Sequence, residues 1–150
     1  VNGNLHPAVD RFARPATFIV ERTYAASPAR VYSAWVDPAA KTKWFSKPDI
    51  FEFRVGGREH SRGGPPDGPI FTFEACYQEI VPEQRIVYTY TLDSGDTRIS
   101  VSITTVELIP TEGGTKLIFT EQGVFFDGYD TPEVREQGTN DMLDSLGKTL

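Results

Sequence analysis

Residues 131–150 constrain the fold most, because they read as an amphipathic helix with one face that must be covered. Thr131 supplies a capping hydroxyl, Pro132 suits the first helical position, and Glu133 and Glu136 suit the positive end of the helix dipole. Val134, Met142, Leu143, Leu146 and Leu150 then form a stripe at helical spacing, with Gly138 and Gly147 close to it and Glu136, Asp141, Asp144 and Lys148 mostly off it. Residues 17–122 read mostly as strands, so the natural cover for that stripe is a curved antiparallel sheet. The expected class is α+β, in the order β-α-α-β-β-β-β-β-β-α, with the terminal helix lying across the concave face.

A chain of 150 residues buries roughly 68–70% of its unfolded surface without a staple. One domain is therefore expected over 17–150, preceded by an arm, 1–16, in which Gly3, Pro7 and Pro15 interrupt any periodicity. The single cysteine, Cys76, has no intrachain partner and fits a reducing compartment. No run has signal-peptide or membrane-span character, so the expected location is cytoplasmic. A net charge of −6 disfavours nucleic acid and anionic membranes as partners.

The strand reading rests on alternation. Residues 17–24 place Phe18, Val20, Arg22 and Tyr24 on one face. Ser27-Pro28 and Asp37-Pro38 each cap a short helix, and Trp35 and Trp44 are expected to pack in the core beneath this corner. Residues 51–61 form a hairpin around Gly56-Gly57, and 63–69 form a loop. Phe71, Phe73, Ala75 and Tyr77 share one face of the next strand, and Ile86, Tyr88, Tyr90 and Leu92 that of its successor. In residues 97–109, Ile99, Val101 and Ile103 hold one phase and Val106 and Leu108 the other, which predicts a bulge near Thr104-Thr105. Leu117, Phe119 and Glu121 share a face of the last strand, and Phe125, Phe126 and Tyr129 lead into the helix.

Chemistry-bearing motifs are sparse. Cys76, His6 and His60 have no metal-ligand spacing, so no metal or cofactor is expected. His60 reads as a solvated strand end, and Gly56-Gly57 and Gly113-Gly114 as turns that open no helix. Phe71, Phe73, Tyr77, Tyr88, Tyr90 and Phe119 all point toward Met142, Leu143 and Leu146. They either interdigitate into a solid core or line a pocket.

More specific are Ala26-Ser-Pro-Ala-Arg-Val31 with Ala34-Trp-Val-Asp-Pro38 and Trp44-Phe45, then Arg54-Val-Gly-Gly57, Asp67-Gly68-Pro69 and Glu79-Ile-Val-Pro-Glu-Gln-Arg85 running into Tyr88-Thr-Tyr90. With Gly114-Thr-Lys-Leu117 and residues 136–146, the set resembles the family of homologues of the activator of heat shock protein 90 ATPase, over about 18–150. The resemblance implies the START-like helix-grip fold, in which a cavity commonly remains between sheet and helix, and a hydrophobic-ligand-binding or co-chaperone-like module. Many relatives carry an aromatic directly after the helix glycine, where this chain has Thr139.

On this reading the ligand contacts are Arg22, Phe71, Phe73, Tyr77, Tyr88, Tyr90, Phe119, Glu121, Phe125, Tyr129, Thr139 and Met142, with no catalytic residue assigned. In helix-grip proteins the first and last strands are neighbours, so Arg22 and Glu121 either pair as the polar end of the pocket or lie near strand ends and reach solvent by bending their stems. A binder or carrier of an apolar or aromatic small molecule is favoured over an enzyme of the polyketide-cyclase kind. The aromatics at 125–129 form either a pocket rim or a homodimer contact.

Overall fold

The computed structural model describes residues 11–150. Residues 1–10, most of the expected arm and His6 with them, lie outside the described residues. The element order is β1 (Ala13–Tyr24), α1 (Pro28–Val36), α2 (Pro38–Lys41), β2 (Pro48–Phe51), β3 (Arg58–Gly63), β4 (Phe71–Val81), β5 (Arg85–Ser94), β6 (Thr97–Thr111), β7 (Gly114–Phe126) and α3 (Pro132–Lys148). This is the order expected from the sequence. β1 starts earlier than the alternation implies: residues 13–16 already pair with residues 123–126 of β7.

The two short helices form because each begins with a cap and a proline. Ser27 Oγ accepts from the Arg30 amide at 3.2 Å, and Asp37, which closes α1, accepts from the Ala39 amide at 3.3 Å. They turn the chain through a corner in which Trp35 and Trp44 meet edge to face at 4.7 Å between ring centroids, both buried. Such a pair contributes about 0.5–1.5 kcal/mol beyond its buried area. Trp44 also donates through Nε1 to the Ala34 carbonyl at 3.0 Å, so its one polar atom is satisfied.

All seven strands form one curved antiparallel sheet, in the order β1-β7-β6-β5-β4-β3-β2. β6 corrects the sequence reading. Ser100, Ser102 and Thr104 point inward in phase with Val106 and Leu108, while Val101 and Ile103 face out, Ile103 at 45% exposure. The irregularity falls between Leu92 and Asp93 of β5, opposite Ser100 and Arg98, and β6 pairs with β7 without a break. The apolar phase misled because three inward positions of β6 are hydroxyl-bearing.

α3 lies across the concave face. Thr131 caps it by accepting from the Val134 amide at 3.2 Å. Its C-terminal half packs on β1: the Tyr24 hydroxyl donates to the Leu143 carbonyl at 2.7 Å, and Leu143 and Leu146 are fully buried. Gly147 permits this approach, since a Cβ there would stand 2.9 Å from the Tyr24 ring. At the N-terminal half Val134, expected in the buried stripe, is 64% exposed, and the inward positions are Arg135 and Thr139. No helix among the described residues is long and apolar enough to cross a membrane.

Candidate functional site

Because α3 is held to β1 at its C-terminal turns and stands off the sheet at its N-terminal turns, a cavity of about 590 Å³ remains beneath it. Phe73, Tyr88, Tyr90, Leu92, Ile99 and Phe119 form its floor on the sheet, and Gly138, Thr139 and Met142 its roof on α3. Phe45 and Ser46 close one side from the segment after α2, with Ser61, Gly63 and Gly64 from β3 and the loop beyond it. Phe71, Tyr129 and Val134 line the cavity and remain exposed, so they mark its mouth. A Cβ on Gly138 would meet nothing within 4 Å, so the roof is thin there.

The polar end is built around Arg135. Its guanidinium donates from Nη1 to Glu121 Oε2 at 3.0 Å and to the Tyr90 hydroxyl at 2.7 Å. Nη2 donates to Asp130 Oδ2 at 2.8 Å and Ser100 Oγ at 2.7 Å, and Nε to Asp130 Oδ2 at 3.2 Å. Glu121 Oε2 also accepts from the Tyr90 hydroxyl and from Ser102 Oγ, each at 2.7 Å. The guanidinium carbon lies 4.9 Å from the centroid of the Phe125 ring, a cation–π contact. Burial opposes the charge of Arg135, and Tyr90, Glu121 and Asp130 more than offset it, raising its pKa above the ordinary arginine value. The Tyr90 hydroxyl is held well above the usual phenol range by burial and the adjacent Glu121, so it stays protonated and donates.

This arrangement follows from strand register. Glu121 sits on β7 opposite Thr104 of β6, with Ser102 opposite Gly123 two residues along. Gly123 leaves room for the Ser102 hydroxyl, because a Cβ there would lie 2.5 Å from it. The inward serines of β6 are thus the acceptor and donor that complete the charged cluster.

Of the residues expected at the site, Phe71, Phe73, Tyr88, Tyr90, Phe119, Glu121, Tyr129, Thr139 and Met142 line the cavity. Arg22 does not. It faces Leu117 across the β1–β7 pair, while Glu121 faces Phe18, so the two lie four residues, about 13 Å, apart along the strands. β1 is an edge strand, and Arg22 passes along the flank of α3 to Asp144 Oδ1 at 2.7 Å and Asn140 Oδ1 at 2.7 Å. Phe125 is buried under Arg135 instead of standing at the rim.

Tyr77 belongs to a second buried cluster, off the cavity. Its hydroxyl donates to Glu59 Oε1, which also pairs with Lys41 Nζ at 2.6 Å. Lys41 and Glu59 are 4% and 1% exposed, and the ammonium lies 5.2–5.9 Å from the ring centroids of Trp35, Trp44, Phe45 and Phe51. Burial lowers the Lys41 pKa below the ordinary lysine value, with Glu59 opposing.

Sequence reasoning missed Arg135, Asp130, Lys41 and Glu59. The signal for Arg135 was its spacing of four, seven and eleven from Thr139, Met142 and Leu146, which puts a charge on the inward stripe of α3. His60 sits beside Asp49, with Nδ1 2.9 Å from Oδ2. Among the described residues no group of three or more His, Cys, Asp or Glu side chains is placed to hold a metal ion.

A curved sheet gripping a terminal helix over an apolar cavity defines a helix-grip protein of the START-like class. The profile of the family described as "Activator of Hsp90 ATPase homolog 1-like protein" matches residues 25–150, and the chain belongs to that family. Its fold is similar to a solved protein of Rhizobium leguminosarum, with 42% identity, TM-score 0.88 and coverage of 93% of this chain and 97% of that one. A protein of Rhizobium loti is similar at 44% identity, TM-score 0.87 and coverage of 93% and 99%. One of Chromobacterium violaceum follows at 31% identity, TM-score 0.79 and coverage of 88% and 94%. Comparison with curated proteins finds no match.

Proposed function

We propose that the protein binds an apolar or aromatic small molecule in the cavity between sheet and α3, as a carrier or sensor without chemistry of its own. The observation that carries this reading is the cavity of about 590 Å³, walled by Phe73, Phe119, Leu92, Ile99 and Met142 and ending on a few convergent polar groups. Its size falls within the roughly 300–1,000 Å³ of small-molecule sites, and its mostly apolar walls with fixed polar groups at one end are the usual composition of such sites. The carboxylates that line it, Glu121 and Asp130, are both tied to Arg135. That arrangement suits orientation of a bound molecule better than movement of a proton.

The test is titration of an apolar fluorescent probe into the wild type and Thr139→Trp. Thr139 is buried on the cavity side of α3, so the indole fills the space a ligand needs. Saturable binding to the wild type and a loss of roughly tenfold or more in the variant are expected. A wild type that takes up no probe, or a variant that binds as well, contradicts the reading.

A further inference from the structure

The chemistry of the polar end decides which apolar molecules the cavity accepts. A guanidinium has five N–H donors, and in Arg135 all five are engaged: two bonds to Asp130, and one each to Glu121, Tyr90 and Ser100. A ligand carboxylate would therefore find no free donor on the cation that would ordinarily attract it. The same cluster sets two carboxylates, Glu121 and Asp130, against that one guanidinium. Its formal balance is negative.

Glu121 is asymmetric. Its Oε2 accepts from Tyr90, Ser102 and Arg135, whereas Oε1 accepts no hydrogen bond among the described residues, although the side chain is only 2% exposed and lines the cavity. Oε1 is not sealed among protein atoms but open to the cavity, so a donor delivered by a ligand can reach it and form a charge-assisted hydrogen bond in a site largely shielded from solvent. The surrounding walls, Phe73, Phe119 and Met142 among them, supply the apolar contact for the body of such a molecule.

We propose that the cavity selects apolar, aromatic-sized molecules bearing a neutral hydroxyl, which donates to Glu121 Oε1, and discriminates against carboxylates of the same shape. The proposal rests on the binding reading above and names its ligand class. A site built to bond a hydroxyl penalises the analogue that lacks it, because its own polar atom is then left unpartnered.

Three probes of one shape test this: 2-naphthol, naphthalene and 2-naphthoate, titrated calorimetrically into the wild-type protein at pH 7. The expected order is naphthol tighter than naphthalene by roughly tenfold, and naphthoate weaker than both. Glu121→Gln sharpens the assignment. Its amide oxygen can keep the place of Oε2 among Tyr90, Ser102 and Arg135, which puts NH₂ where Oε1 stood and turns an acceptor into a donor. The naphthol preference should then fall toward unity, and naphthoate should gain. If the variant does not fold, the wild-type series decides alone. Naphthalene equal to naphthol, naphthoate equal to or tighter than naphthol, or a folded Glu121→Gln that keeps the wild-type order overturns the proposal and leaves the binding reading standing. Failure of all three probes to bind the wild type overturns both.

Discussion

Of two buried ion pairs, Arg135–Glu121 lines the cavity and Lys41–Glu59 lies off it, and they are built differently. Arg135 and Glu121 belong to a wide network that draws on β5, β6, β7 and α3, with every guanidinium donor engaged. Lys41 and Glu59 form a narrow one, an ammonium bonded directly to a carboxylate that also accepts from a single tyrosine hydroxyl, the whole otherwise wrapped in aromatic rings. Glu59 Oε2 has no partner among the described residues. Buried charge thus serves two ends in this fold. The caged lysine joins the helical corner to β3, whereas the Arg135 network joins α3 to the sheet while leaving the space between them open.

That contrast predicts different responses to removal. Arg135→Met and Lys41→Met should each cost about 3–5 kcal/mol, since each leaves a buried carboxylate without its partner. Removing the other charge separates them. Lys41→Met with Glu59→Met and Tyr77→Phe replaces a compact polar group by apolar ones of similar size and should recover most of the loss. Arg135→Met with Glu121→Met should not, because Tyr90, Ser100, Ser102 and Asp130 keep polar atoms that had bonded to the pair. Urea denaturation of the single and combined variants checks this, and equal recovery in both clusters would erase the distinction.

A smaller effect tests how the wide network is supported. Gly123→Ala should cost about 1–3 kcal/mol, because its methyl would press on Ser102 Oγ and on the Val101 carbonyl, 3.1 Å away. The loss should shrink when Ser102→Ala is added, if the hydroxyl is what the methyl displaces. A double-mutant cycle of thermal midpoints measures that coupling.

The smallest effect concerns Arg22, which the alternation of β1 places in the pocket and which the structure pairs with Asp144 on the flank of α3. Arg22 holds Asp144 below the ordinary carboxylate range through their hydrogen bond. A carboxylate with a depressed folded pKa contributes stability above its unfolded pKa and loses it as the pH falls through the folded value. Asp144→Asn should therefore leave stability at pH 7 nearly unchanged and narrow the gap to wild type further toward pH 3, since the pair is exposed and screened. Denaturation midpoints at pH 7 and pH 3 check the sign.

The framework was legible because it depends on local rules. Prolines and caps marked all three helices, alternation marked the strands, and inward aromatics such as Phe73, Tyr88 and Phe119 fell on the predicted face. What escaped depended on register and on partners far apart in the chain. Arg22 carried the right strand phase, yet its row along β1 is the row of Leu117, a fact that only pairing fixes. Ser100 and Ser102 conceal the inward face of β6 because a hydroxyl-bearing position reads as exposed in an alternating pattern. Arg135 lies on the inward stripe of α3, where its charge hides it from a search for apolar periodicity. Ser100, Ser102 and Arg135 are polar groups facing inward, the place where hydrophobic patterning gives way to site chemistry, whereas Val134 and Phe125 are apolar residues whose depth only the packing of α3 fixes.

Met142 offers the most direct test of the account. It is the only methionine in the sequence and lines the roof of the cavity, so ¹³C-methyl labelling of methionine places one reporter there, assigned by its loss in Met142→Leu. Titration with 2-naphthol should shift that signal saturably in the wild type, with the shift abolished in Thr139→Trp. A Met142 methyl that stays in place while the ligand binds, or that moves equally in the filled variant, would contradict a ligand held between the sheet and α3.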